Sequence, residues 1–145
     1  MASAPHTLTL SHYMEKESTN RIKMELEYPL RSSTIILFQY IATPSGLQSW
    51  FADDVSVNGT HYKFAWEDGT SQHYELLKSV TNKYIKFVPT DPSSRDEFLE
   101  FRIISDDITG DVELVITEFV DEGEADEIAS LWDSAVETLC QRIGA

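Results

Sequence analysis

From Arg21 to Tyr28 polar and apolar positions alternate strictly. Ile22, Met24, Leu26 and Tyr28 share one face, and Arg21, Lys23, Glu25 and Glu27 share the other. A period of two with one apolar face predicts a half-buried strand, ended by Pro29. Ser32-Ser33 then offers a helix N-cap, and the apolar run that follows predicts a helix from about Ser33 to Ala42, stopped by Pro44. A buried strand over Ile35 to Ile41 is the alternative. A second short helix, Pro44 to Trp50, uses Pro44 in its first turn.

Hairpins follow. Val55 and Val57 precede an Asn58-Gly59 turn signal. His61 to Trp66 alternates again, with Tyr62, Phe64 and Trp66 on one face; Asp68-Gly69 marks the next turn and Gln72 to Val80 the returning strand. A two-residue turn would set Phe64 opposite His73. An odd-numbered loop, Asp68 to Thr70, sets Phe64 opposite Tyr74 and Tyr62 opposite Leu76, and apolar pairing favours it because a one-residue slip flips every side chain. Strands at Tyr84–Val88, Glu97–Ile104 (Leu99, Phe101 and Ile103 inward) and Val112–Val120 complete a sheet of about seven antiparallel strands. A dimer through an exposed Val112–Val120 edge is one possibility this order leaves open.

The last element is a long helix, roughly Glu124 to Arg142. Its inward stripe is Ala125, Ile128, Leu131, Trp132, Ala135, Val136, Leu139 and Ile143, at steps of three and four. Acidic residues crowd its start and Arg142 lies at its end, both complementing the helix dipole. Ala125, Ala129 and Ala135 allow two outcomes: close approach of helix to sheet, or room beside Trp132. The pattern as a whole is α+β, a curved antiparallel sheet wrapped around a long C-terminal helix.

Composition adds limits. The 145 residues carry a formal charge of −14, which repels phosphate backbones and anionic membrane surfaces. No stretch approaches the ~20 apolar residues of a membrane span. No signal peptide is evident, and the single Cys140 is read as a small buried or half-buried residue; a cytoplasmic protein is expected. Residues 1–20 are read as a poorly ordered leader or extension, in which Leu8 and Leu10 can add a short edge strand, and residues 21–145 as the domain.

Candidate chemistry is sparse. His61 and His73 lie on adjacent strands, not directly opposite, without a convincing third ligand for zinc, and read as ordinary strand histidines. His6 and His12 fall in the leader. Asp53-Asp54 and Asp106-Asp107 read as solvated turn carboxylates. Glu118 and Arg102 suggest a cross-sheet ion pair, a buried catalytic Glu being the alternative. No phosphate loop, nucleophile elbow or Cys/His dyad is present, and no cofactor or metal is expected.

Taken together, Leu47-Gln48-Ser49-Trp50-Phe51 at the end of the helical pair, Gly59-Thr60-His61-Tyr62-Lys63-Phe64-Ala65-Trp66 in the next hairpin and Thr109-Gly110-Asp111-Val112-Glu113-Leu114 opening the last strand resemble the START-like, helix-grip (SRPBCC) superfamily. The resemblance covers about Arg21 to Ile143 and is nearest to the branch of activator-of-heat-shock-ATPase homologues and to small bacterial START-like proteins. It implies a cavity between the concave sheet face and the terminal helix, and no shared catalytic set. Binding of a small hydrophobic or aromatic ligand is therefore the first expectation, with Trp50, Phe51, Tyr62, Phe64, Trp66, Tyr74, Leu99, Phe101, Trp132 and Leu139 lining the site. An interaction module partnering a chaperone is the second. A cavity enzyme of cyclase or hydrolase type is the third.

Overall fold

The computed structural model describes residues 20–94 and 96–144. Expectations for Leu8, Leu10, His6 and His12 lie outside the described residues. Strand β1 spans Arg21–Leu30; helices α1 (Thr34–Ala42) and α2 (Pro44–Gln48) follow. Then come β2 (Asp54–Asn58), β3 (His61–Ala65), β4 (Ser71–Val80), β5 (Tyr84–Pro89), β6 (Leu99–Ser105) and β7 (Val112–Asp121), and the chain closes with helix α3 (Ala125–Ile143). All seven strands form one antiparallel sheet in the order β1-β7-β6-β5-β4-β3-β2.

The helices form where capping chemistry allows. Ser33 accepts from the Ile36 amide at 3.1 Å, and Thr43 accepts from the Gly46 amide at 2.9 Å, so α2 starts immediately after α1 ends. Ile35 to Ile41 is thus helical, burying Leu37 and Ile41. Gly46 is needed there: a Cβ would collide with the Gln39 carbonyl of the preceding helix. Helix α3 stops at Gly144, which adopts φ 75° and donates its amide to the Cys140 carbonyl.

Four expectations are corrected. Pro29 does not end β1; it pairs with Glu113 and the strand runs on to Leu30. Strand β1 is an edge, where a residue lacking an N–H is tolerated. The β2–β3 turn is Gly59-Thr60 rather than Asn58-Gly59, since Asn58 pairs with His61, and Gly59 supplies the positive φ of 64°. The β3–β4 loop is odd-numbered but longer, so Tyr62 faces Tyr74 and Phe64 faces Gln72. The inward parity is kept because the register moved by two. Lastly, β7 is no edge: it is paired on both sides, to β1 and to β6.

The concave face carries the core. Phe64, Phe87, Phe101, Leu114 and Ile116 are fully buried beneath α3, whose Ile128, Trp132, Ala135, Val136 and Leu139 face them. Leu131, expected in this stripe, is only half-buried. A bulge at Leu77, between the Leu76 and Lys78 pairs, breaks the β4–β5 ladder and helps the sheet curve.

Candidate functional site

The ten residues expected to line a ligand site are all buried and belong to one cluster. Trp50 and Phe51, delivered by the short loop after α2, pack beside Trp132. Phe51 stacks on Trp132 with ring centroids 5.3 Å apart and planes 5° from parallel. Phe101 meets Trp50, Phe51 and Trp132 at 5.6, 5.7 and 5.9 Å, and Phe64 meets Phe51 edge-on at 4.9 Å. The buried indoles are satisfied: Trp50 Nε1 donates to the Tyr40 carbonyl at 2.8 Å, and Trp66 Nε1 to the Phe51 carbonyl at 3.1 Å. Edge-to-face and offset stacking of this kind adds to simple area burial.

An open space lies at one end of this cluster, between the sheet and the start of α3. It is a cleft of about 270 Å³, lined among others by Tyr74, Pro89, Phe98, Glu118, Val120 and Ile128, with Arg21 and Glu97 at its rim. Tyr74 is the one residue of the ten that also lines it. Its floor follows from strand parity. On β7 the even positions face inward, so Val112, Leu114, Ile116, Glu118 and Val120 share the concave face. Glu118 puts a carboxyl where the pattern otherwise puts hydrocarbon.

The electrostatics of the cleft are set by that carboxyl. Burial raises Glu118 from the ordinary carboxylate range to about 7, while a hydrogen bond from the Trp132 indole and the charge of Arg21 pull the other way. Near neutrality it is therefore poised between donating and accepting a hydrogen bond. Burial also raises Tyr74, with the negative charges of Glu118 and Glu97 adding to it, so its phenol stays protonated. Arg21 is committed elsewhere. Its Nε donates to Glu97 Oε2 at 3.0 Å and its Nη2 to Glu97 Oε1 at 2.6 Å; Nη1 donates to Asp121 at 3.2 Å, and Nη2 also reaches the Phe119 carbonyl. These contacts hold its guanidinium at the rim as a clamp between β1, β7 and the loop before β6.

The expected Glu118–Arg102 pair does not form. Arg102 stands opposite Val115, on the outer face, where it donates to Glu100 at 2.9 Å and lies over the Tyr84 ring at 4.2 Å. Opposite parity separates it from Glu118 by the thickness of the sheet. Asp53 accepts from the Glu67 amide at 2.7 Å, and Asp106 from the Ile108 and Thr109 amides at 2.8 and 3.1 Å, so both serve turns. Among the described residues, no three or more His, Cys, Asp or Glu side chains are grouped to hold a metal ion. Cys140 is half-buried, and burial raises its thiol. No helix among the described residues is long and apolar enough to cross a membrane.

The cleft itself is the part that sequence reading misses. Its signal is a single acidic residue on the apolar parity of β7; Arg21, Glu97 and Phe98 come from regions far apart in the chain.

The family model for the START-like superfamily domain matches residues 18–145. Among solved structures, the chain is similar to the solution structure of BfR322 from Bacteroides fragilis. The two are 32% identical with a TM-score of 0.58, over 84% of this chain and 90% of that one. It is similar in fold to the Aha1 dimer from Colwellia psychrerythraea, at 17% identity and TM-score 0.69, over 84% and 96% of the two chains. The same holds for protein MLL2253 from Mesorhizobium loti, at 14% identity and TM-score 0.66, over 83% and 95%. No curated protein matches the sequence.

Proposed function

Because this chain belongs to the START-like superfamily, we propose that it binds a small hydrophobic or aromatic molecule between its sheet and its terminal helix, at the cleft floored by Tyr74 and Glu118. The observation that carries this reading is a recessed carboxyl, poised near neutrality, inside a cleft whose walls include Tyr74, Phe98, Val120 and Ile128. Ligand pockets combine apolar walls with placed polar groups, and here the polar groups, with Arg21, Gln72, Glu97, Asp121 and Glu124 beside Glu118, outnumber the apolar ones. At about 270 Å³ the space sits just below the usual range of ~300–1,000 Å³ for ligand pockets, so the ligand is small. In this reading Tyr74 touches the ligand, Trp132 positions Glu118, and Trp50, Phe51, Tyr62, Phe64, Trp66, Leu99, Phe101 and Leu139 form the rigid wall behind. The half-buried thiol of Cys140 suits a reducing, cytoplasmic setting.

The test is a titration of the labelled protein with a panel of short aliphatic alcohols, phenols and indoles, followed by NMR and by melting temperature. Saturable shifts at Tyr74, Phe98 and Ile128 with a rise in melting temperature support the reading. No saturable shift at those residues across the panel overturns it.

A second reading, a protein-interaction module, is favoured by Ile35 and Ile36. These neighbours in the first turn of α1 are 58% and 46% exposed, an apolar pair on a surface that water otherwise meets. Replacing both with Ser would abolish binding to a chaperone partner while leaving the cleft titration unchanged; an unchanged complex would end this reading.

A further inference from the structure

On the outer face of the sheet four polar side chains of β3, β4 and the turn before β3 form a chain, of which His73 also borders the cleft. Thr60 Oγ1 donates to Glu75 Oε2 at 2.6 Å. Glu75 Oε1 lies 3.1 Å from His61 Nδ1, and His61 Nε2 lies 2.9 Å from His73 Nδ1. Strand register produces this: His61 stands opposite Glu75, and His73 stands opposite Lys63, so the two imidazoles meet on the diagonal. Diagonal neighbours on one sheet face remain within reach of long or aromatic side chains.

The tautomers follow from the partners. A carboxylate at His61 Nδ1 keeps the proton there and leaves the lone pair on Nε2, the atom that faces His73. One shared proton is all that holds the two ring nitrogens together. A metal ion can take its place with both nitrogens as ligands. A carboxylate behind a ligating histidine is the outer-shell arrangement that fixes ring orientation in metal sites. The Thr60 hydroxyl in turn fixes the carboxylate.

The separation suits one coordination geometry. At metal–nitrogen distances of about 2.0–2.1 Å, two nitrogens 2.9 Å apart subtend roughly 90°, the angle between neighbouring ligands in tetragonal coordination. A tetrahedral ion would require the rings to part by several tenths of an ångström. We propose that His61 and His73 form a two-imidazole site for a tetragonal divalent transition-metal ion, copper(II) foremost and nickel(II) next, completed by water, with Glu75 as the orienting carboxylate. The site lies on an exposed sheet face, with the His61 side chain 39% exposed, so ions enter without opening the core. Bound metal would tie β3 to β4 at its side-chain surface.

The test is titration of the full chain with copper(II), nickel(II) and zinc(II), using a His6→Ala/His12→Ala background so that the leader imidazoles do not contribute. Calorimetry gives affinity, and copper(II) electron paramagnetic resonance counts nitrogen ligands. Two nitrogen ligands, a one-to-one stoichiometry and the order copper(II), nickel(II), zinc(II) are expected. His73→Ala should lower copper(II) affinity by more than an order of magnitude, and Glu75→Gln by about tenfold, the scale of outer-shell losses. Copper(II) binding unchanged by His73→Ala, or a single nitrogen ligand in the background protein, would overturn the proposal. Since neither His73 nor Glu75 reaches the core, both variants keep the parent's melting temperature.

Discussion

The two ends of the space between sheet and helix are built by the same elements and do opposite things. At the centre Trp50, Phe51, Phe101 and Trp132 fill the gap with rings at 5.3 to 6.4 Å, and the indoles of Trp50 and Trp66 are hydrogen-bonded. At the end near the start of α3, Tyr74 and Glu118 face a cleft, and both titrate away from their ordinary values. One indole joins the two regions: Trp132 stacks in the core and hydrogen-bonds Glu118. The contrast teaches that a helix-grip scaffold need not be hollow along its whole length. Packing at the centre supplies the rigidity that lets the end hold a carboxyl at an unfavourable depth.

The largest test of this division is Phe51→Ala. Removing the ring that stacks on Trp132 should cost about 3–5 kcal/mol, the range for buried aromatic truncations, measured by denaturant unfolding. A loss under about 1 kcal/mol would mean that the centre is not the packed half.

Next is the pH dependence of stability. Glu118 titrates at about 7 folded, against an ordinary value of 4.5 in the unfolded chain, so the folded state binds its proton more tightly. Its favourable contribution is present below the unfolded value and is lost as pH rises through the folded one. Glu118→Gln should therefore gain on the wild type between these two values, by at most about 3 kcal/mol. Parallel stability profiles for the two proteins would refute the depth assigned to the carboxyl.

Arg21→Ala comes third. It removes the clamp on Glu97 and Asp121 at the cleft rim, and Asp121 is buried. A loss of about 1–2 kcal/mol is expected, with weaker binding of any cleft ligand and no change in the aromatic packing seen by near-ultraviolet circular dichroism. The subtlest is Trp132→Phe, which keeps an aromatic ring but deletes the donor to Glu118. Because that bond lowers the carboxyl's pKa, carbon-detected NMR titration should find Glu118 titrating higher than in the wild type. An unmoved titration would uncouple the two regions.

Much of this is legible in the sequence because strand parity is a local property. Ile22 to Tyr28, Leu99 to Ile103 and Tyr62 to Phe64 declare their buried face without reference to anything distant. The spacing of Ile128, Trp132, Ala135 and Leu139 does the same for α3. What the pattern does not carry is long-range placement. Trp50 and Phe51 follow a five-residue helix, and nothing local says that they turn under Trp132 rather than across a sheet edge. The histidine pair is similarly hidden, since a diagonal contact depends on loop length, and the β3–β4 loop is two residues longer than turn signals imply.

The strand order has a consequence for how the molecule is made. Every neighbouring pair in the sheet is also consecutive in the chain except β1 and β7. Strands β2 to β7 form a run of hairpins, each strand pairing with the one that precedes it in the chain. Strand β1 is synthesised first and must wait: the Arg21–Asp121 contact spans 100 positions. Closing so long a loop is slow relative to forming hairpins. The first strand made is therefore the last to find its place, and until it does β7 offers its open edge to other chains.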